Sequence, residues 1–158
     1  MPITNNITRM LDAKKIKYTA HELPEIKVGA EQAAELIGVP AGQVYKTIVA
    51  IRTDPGKPIL AVVPGDRELN LKMAAKAVGE KKLKVATHQQ AEELTGLQTG
   101  GISPLALINK GFQILIDRSA LSHENIFISG GQRGINLSID PKDLIKLTNA
   151  RTADLITA

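Results

Sequence analysis

The sequence predicts an α+β fold: a mixed, mainly antiparallel sheet or partial β-barrel with peripheral helices, in a single domain over residues 1–158. Three observations predict it. Short β-branched runs outnumber helical segments long enough to cross over a sheet, which argues against a doubly wound parallel arrangement. Several of these runs are joined by tight turns, which antiparallel neighbours permit and parallel neighbours do not. The chain has 158 residues, 43% hydrophobic and 23% charged, an ordinary globular balance and enough chain to bury one sizeable core.

Each element follows from local chemistry. Thr4-Asn5-Asn6 supplies cap candidates for a short helix with Ile7, Met10 and Leu11 on one side. Tyr18 to Glu22 reads as a short strand. Ala30, Ala33, Ala34 and Ile37 share a helix face, stopped by Gly38 and then Pro40. Val44 to Thr53 is rich in β-branched residues, Asp54-Pro55-Gly56 is turn chemistry, and Ile59 to Pro64 returns, so the two runs predict a hairpin.

Asn70 caps a helix that buries Leu71, Ala74, Ala75 and Val78 and ends at Gly79. Lys82 to Ala86 predicts another strand, Gln89 to Leu94 a helix, and Gly96 to Pro104 a loop. Phe112 to Asp117 and Asn125 to Ser129 predict strands. Gly130-Gly131 turns into a further strand over Gly134 to Ile139, and Asp140-Pro141 starts a last helix through Leu147.

Composition narrows the chemistry. Aromatics are 3% with no Trp, so the core is built from Ile, Leu, Val and Ala. The absence of Cys removes disulfides, thiolate metal ligation and a protein thiol nucleophile. Twenty Lys and Arg against 16 Asp and Glu give +4, a mildly basic balance that permits a nucleic-acid partner without establishing one. No apolar run approaches the ~18–20 residues that span a bilayer. The opening MPITNNITRML lacks the charged and apolar regions of a signal peptide, so the expected location is cytoplasmic and no membrane partner is expected.

Lys46 stands out among the candidate functional residues. Period-2 alternation puts Val44, Lys46, Ile48 and Ala50 on one strand face and Tyr45, Thr47, Val49 and Ile51 on the other, both mainly apolar. An ammonium there needs anionic or acceptor partners, as a carbonyl- or phosphate-binding lysine has. It can also snorkel from the strand end to water.

Two glycine pairs come next, Gly100-Gly101-Ile102-Ser103-Pro104 and Ser129-Gly130-Gly131-Gln132-Arg133-Gly134. Such pairs let backbone N–H groups approach a ligand or a developing oxyanion, and they equally make tight turns. Neither pair belongs to a dinucleotide-binding or P-loop motif. His21, His88 and His123 are widely spaced, so no metal site and no cofactor is expected. His88 and His123 read as helix-end or loop residues, and His21 as a surface residue with entry into a cleft as the alternative. Ser103 and Ser129 lack an evident general base, which disfavours a triad.

Arg67, Lys72, Lys76, Lys81, Lys82 and Lys84 form a basic stretch, with Lys72 and Lys76 on the helix side opposite Leu71 and Val78. It fits a phosphate-contacting surface and a solvated helix face equally well.

Val44-Tyr45-Lys46-Thr47, Gly100-Gly101-Ile102-Ser103-Pro104 and Ser129-Gly130-Gly131 with Arg133-Gly134, in that order across nearly the whole chain, resemble the signature of the YbaK/EbsC family. That family is similar to the editing domain inserted in bacterial prolyl-tRNA synthetase. The resemblance implies a trans-editing deacylase that clears Cys-tRNA(Pro), because a pocket for proline cannot cheaply reject a near-isostere. It implies mischarged tRNA(Pro) as substrate and the synthetase as a transient partner.

The family's essential lysine falls on Lys46. Its Gly-rich loops fall on Gly100-Gly101 and Ser129-Gly130-Gly131, with Gly101 and Gly131 as oxyanion donors. Tyr45, Thr47, Ile102, Ser103, Pro104, Ser129 and Asn136 are the expected substrate contacts, and Arg67, Lys72, Lys76 and Arg133 the expected tRNA contacts. The implied reaction is attack of the substrate's own thiol on its ester. Water-mediated hydrolysis of Ala- or Ser-tRNA and a non-catalytic tRNA- or synthetase-binding module are the alternatives. Two positions depart from the family pattern: Ala20 and His21 occupy a stretch where a tyrosine is usual, and Asn136 stands where Asp is frequent.

Overall fold

The computed structural model describes residues 4–53 and 56–157. The chain starts with α1 (Asn6–Ala13), held by a capping box in which Thr8 N–H donates to Asn5 Oδ1 at 2.9 Å and Asn5 N–H donates to Thr8 Oγ1 at 2.8 Å. β1 (Tyr18–Glu22) follows, then α2 (Ala30–Ile37), which stops where Gly38 takes the left-handed conformation that other residues adopt at a cost. β2 (Tyr45–Arg52) and β3 (Ile59–Pro64) pair antiparallel, as the two β-branched runs predict. Asp54 and Pro55 of the expected connecting turn lie outside the described residues.

Asn70 Oδ1 accepts from Met73 N–H to open α3 (Leu71–Ala77), and β4 (Leu83–Val85) is shorter than the run of residues that predicts it. α4 (His88–Thr95) carries a second capping box on Thr87. β5 (Gln113–Asp117), β6 (Ile126–Ser129), β7 (Ile135–Ile139) and α5 (Pro141–Thr148) fall where expected. β8 (Arg151–Ala153) was not expected, since three residues are too few to show a period.

The strands divide between two sheets. One has the order β4-β2-β3-β5-β8 and the other β1-β7-β6. Pairs β2–β3, β2–β4, β1–β7 and β6–β7 are antiparallel, whereas β3–β5 and β5–β8 are parallel. The mixed, mainly antiparallel arrangement is therefore the one that forms, and neither strand order closes into a barrel.

The main core lies between the sheets. Val62 and Ile116 of the larger sheet meet Ile126, Ile128, Leu137 and Ile139 of the smaller one, with Leu11 and Leu144 closing the ends. β3 is buried along its whole length, as a central strand covered on both faces must be. A lone bridge between Val44 and Phe127 ties the start of β2 to β6, and this brings the two sheets together where Lys46 emerges.

Candidate functional site

Lys46 is the second residue of β2, opposite Val63, and is half-buried. It opens onto a cavity of about 290 Å³ lined by residues of both sheets, by the segment from Leu23 to Ala30, and by the first glycine loop. Among the described residues no carboxylate pairs with its ammonium. Thr47, Gly100, Ile102, Ser129 and Asn136 line the same cavity. Residues far apart in the chain thus converge because the edge of the smaller sheet and the start of β2 are bridged.

Asn136 is the most informative of them. It sits on β7, between His21 of β1 and Ser129 of β6 in the sheet register. It is 5% exposed, and its Oδ1 has no hydrogen-bond partner among the described residues. Buried polar atoms almost always find partners, so an orphan acceptor in a cavity wall points to a donor that arrives with a ligand. His21, read as a surface residue, is half-buried beside Phe127 at 5.4 Å between ring centroids, and burial lowers its pKa.

The two glycine loops pack against each other. A Cβ on Gly101 would lie 2.8 Å from Gln132 Cα and 2.9 Å from Arg133 N, so only a residue without a side chain allows this contact. Glu92 and Arg133 extend the tie. Thr99 N–H and Oγ1–H donate to Glu92 Oε2 at 2.8 and 3.0 Å, and Arg133 Nε–H donates to the Thr99 carbonyl at 2.8 Å. These hydrogen bonds from Thr99, with smaller help from the Arg133 charge, hold the Glu92 carboxyl below its usual range. On the far side, Asn5 Nδ2–H donates to the Gly130 carbonyl at 2.9 Å, anchoring the second loop to α1.

Several expected contacts have other duties. Gly101 N–H donates to the Gln98 carbonyl at 2.8 Å, and Gly131 N–H donates to Ser129 Oγ at 3.2 Å. Both amides, expected as oxyanion donors, thus serve acceptors within their own loops in this structure. Gly131 lines a different cavity, of about 970 Å³, between the second loop, α1 and α5. Gly130 packs on Ile135. Ser103 is fully buried and accepts from Leu105 N–H at 3.2 Å, and the buried Pro104 begins that same short turn. Both residues shape the loop rather than line the hollow.

Tyr45 borders the cavity, but its ring lies in the main core and its hydroxyl is 2.7 Å from Ser119 Oγ. Burial pushes the phenol up to about 12.

The expected tRNA contacts divide. Arg133 adjoins Gly100 at the cavity, with its Nε 3.6 Å from where a Gly100 Cβ would be. Arg67, Lys72 and Lys76 are exposed on the other side of the larger sheet's cover, and none of them lines the cavity. Sequence reasoning missed Lys27, Val28, Gly29, Ala33, His88 and Thr99 of the lining. The only local signal was Gly29 ahead of α2, whose first turn has no side-chain cap. Among the described residues no group of three or more His, Asp or Glu side chains converges as metal ligands would, and no helix is long and apolar enough to cross a membrane.

Comparison with known proteins adds independent findings. A family model described as the aminoacyl-tRNA editing domain matches residues 25–147. The chain is 34% identical over 154 residues to EbsC of Enterococcus faecalis, described as a candidate Cys-tRNA(Pro)/Cys-tRNA(Cys) deacylase, covering 96% of this chain and 93% of that protein. It is also 34% identical over 104 residues to a proline–tRNA ligase of Maridesulfovibrio salexigens, covering 66% of this chain and only 17% of the ligase. The crystal structure of a candidate trans-editing enzyme for prolyl-tRNA synthetase superposes with a TM-score of 0.79 at 28% identity, covering 99% of this chain and 100% of that one.

Proposed function

We propose, because this chain belongs to the aminoacyl-tRNA editing domain family, that it acts in trans on mischarged tRNA(Pro) and cleaves the ester of Cys-tRNA(Pro). The observation that carries this reading is the buried Asn136 oxygen, without a hydrogen-bond partner among the described residues, in the same small cavity as the Lys46 ammonium, which none of their carboxylates pairs. A cavity of about 290 Å³ suits an aminoacyl group and leaves the nucleotide outside. Asn136 Oδ1 accepts a hydrogen bond from the substrate's α-amino group. Lys46 offers positive charge where the ester carbonyl becomes an oxyanion. Thr47, Ser129 and Ile102 complete the wall.

The chain contains no Cys, so a thiol nucleophile must come from the substrate. In the proposed reaction the cysteinyl sulfur, as thiolate, bonds to its own carbonyl carbon. The carbon–oxygen ester bond breaks, the tRNA ribose oxygen leaves and takes up a proton, and the other product is a thiolactone. A thiol of pKa ~8.5 is a few per cent ionised at neutral pH. Alignment of groups already in one molecule supplies much of the rest of the acceleration. The synthetase, which generates the mischarged tRNA, is the proposed transient partner.

The test is a panel of tRNA(Pro) charged with Cys, S-methyl-Cys, Ala, Ser or Pro, with and without synthetase. The reading expects rapid loss of Cys alone and none of S-methyl-Cys, whose sulfur cannot attack. Equal hydrolysis of Cys and S-methyl-Cys removes the thiol step in favour of water. Stoichiometric protection without turnover makes the protein a binding module.

A further inference from the structure

The cavity mouth carries a feature that the aminoacyl site does not use. Lys27, from the segment ahead of α2, and His88, the first residue of α4, both line the cavity and are exposed. Lys27 Nζ lies 2.9 Å from His88 Nδ1. A lysine ammonium can only donate, so Nδ1 accepts and the ring proton sits on Nε2, directed away from Lys27. Gly100 lies between Lys27 and Arg133: a Cβ there would be 3.3 Å from Lys27 Cα and 3.6 Å from Arg133 Nε. Arg133 spends its Nε on Thr99, and its two terminal amino groups have no partner among the described residues.

Two cations and an imidazole N–H thus meet at one opening from three separate segments. Among the described residues none of the three is in an ion pair. The carboxylate beside them, Glu92, is occupied by the Thr99 N–H and hydroxyl. A cationic cluster whose nearest carboxylate is already hydrogen-bonded to Thr99, and forms no ion pair with it among the described residues, fits an anion brought by a ligand.

We propose that Lys27, His88 and Arg133 form a phosphate-binding rim that takes the sugar–phosphate backbone of the tRNA 3′ end. The inference rests on the deacylase reading and deepens it. With the aminoacyl group in the cavity, the terminal adenosine must sit at this mouth, which puts its backbone phosphate among these three side chains. Arg133 offers its terminal amino groups in a fork, Lys27 a point charge, and His88 a neutral donor. The rim, rather than the exposed lysines of α3, then carries the salt-sensitive contact with the substrate.

The experiment measures binding of a labelled RNA oligonucleotide ending in CCA across a range of salt, for the wild-type chain, Lys27→Gln, His88→Gln and the double variant Lys72→Gln/Lys76→Gln. The proposal expects Lys27→Gln to flatten the plot of log affinity against log salt by ~0.7, the value of one lost phosphate contact to a single strand. It also expects Lys27→Gln to lose about tenfold more kcat/KM toward Cys-tRNA(Pro) than toward cysteinyl-adenosine, which lacks the phosphate. His88→Gln retains a side-chain donor and is expected to lose less. An unchanged slope in Lys27→Gln, a slope change confined to the α3 variant, or equal losses on both esters overturns the proposal. If the wild-type chain deacylates neither ester, the deacylase reading falls, and the salt slope still decides the rim.

Discussion

A buried side chain whose polar atom has no partner weakens the fold, and Asn136 Oδ1 has none among the described residues. Leaving one acceptor unsatisfied costs about 1–3 kcal/mol, and an apolar residue of similar shape removes the cost. Asn136→Leu is therefore expected to hold or raise stability by about 1 kcal/mol in urea unfolding while losing most deacylation. A residue serving only the core would show the reverse, and a loss of several kcal/mol would move Asn136 out of the site. Lys46 makes a parallel case. It is half-buried and no carboxylate among the described residues pairs with it, so Lys46→Ala leaves no stranded charge among them. The expected outcome is an unchanged unfolding midpoint and a fall of roughly 10²–10³ in single-turnover deacylation, the usual loss for one stabiliser of an oxyanion. Deacylation of Cys-tRNA(Pro) at the wild-type rate would end its role.

At the scale of elements, the site depends on two loops held face to face. Gly101 meets the backbone of Gln132 and Arg133, and backbone cannot yield as a flexible side chain can. Gly101→Ala is expected to cost about 1–3 kcal/mol, as overpacking does. It should also raise amide exchange across residues 129–134, and normal exchange there would show that the loops do not need this contact. The Glu92–Thr99 tie adds a pH dependence. Its folded pKa is depressed, so its stabilisation is present above the unfolded carboxyl value of about 4.3 and fades as pH falls through the lower folded value. Exchange in the loop from Gly96 to Pro104 is expected to quicken below that pH in the wild-type chain. In Glu92→Gln the loop should be loose at every pH, and identical acid profiles for the two proteins would contradict the assignment.

On the scale of the whole molecule, the packing of one sheet on the other carries both stability and site. Leu137 is fully buried on the central strand of the smaller sheet, against the main core. Leu137→Ala is expected to cost about 2–5 kcal/mol in urea unfolding, the range for a large-to-small change in a core. A much smaller cost would mean that the sheets pack loosely. Helix stops, caps, the β2–β3 hairpin and the pairing of β6 with β7 were legible in the sequence, because each is decided by residues a few positions apart. So was the placement of Lys46 as a charge among mainly apolar neighbours on a strand, with a solvent-directed side chain as the other reading. The Lys27–His88 contact was not legible, because its partners stand 61 residues apart and obey no spacing rule. The competing duties of Gly101, Ser103 and Gly131 were equally hidden, since an amide's availability depends on which acceptor the folded loop brings to it. The parallel pairing of β5 with β3, and of β8 with β5, belongs to the same class. Local runs of residues thus fix most of the helices and strands and mark the residues of unusual chemistry. Tertiary structure alone decided which of those residues share a cavity, because sharing one depends on how two sheets pack, and that is settled by burial summed over the chain rather than by any local run.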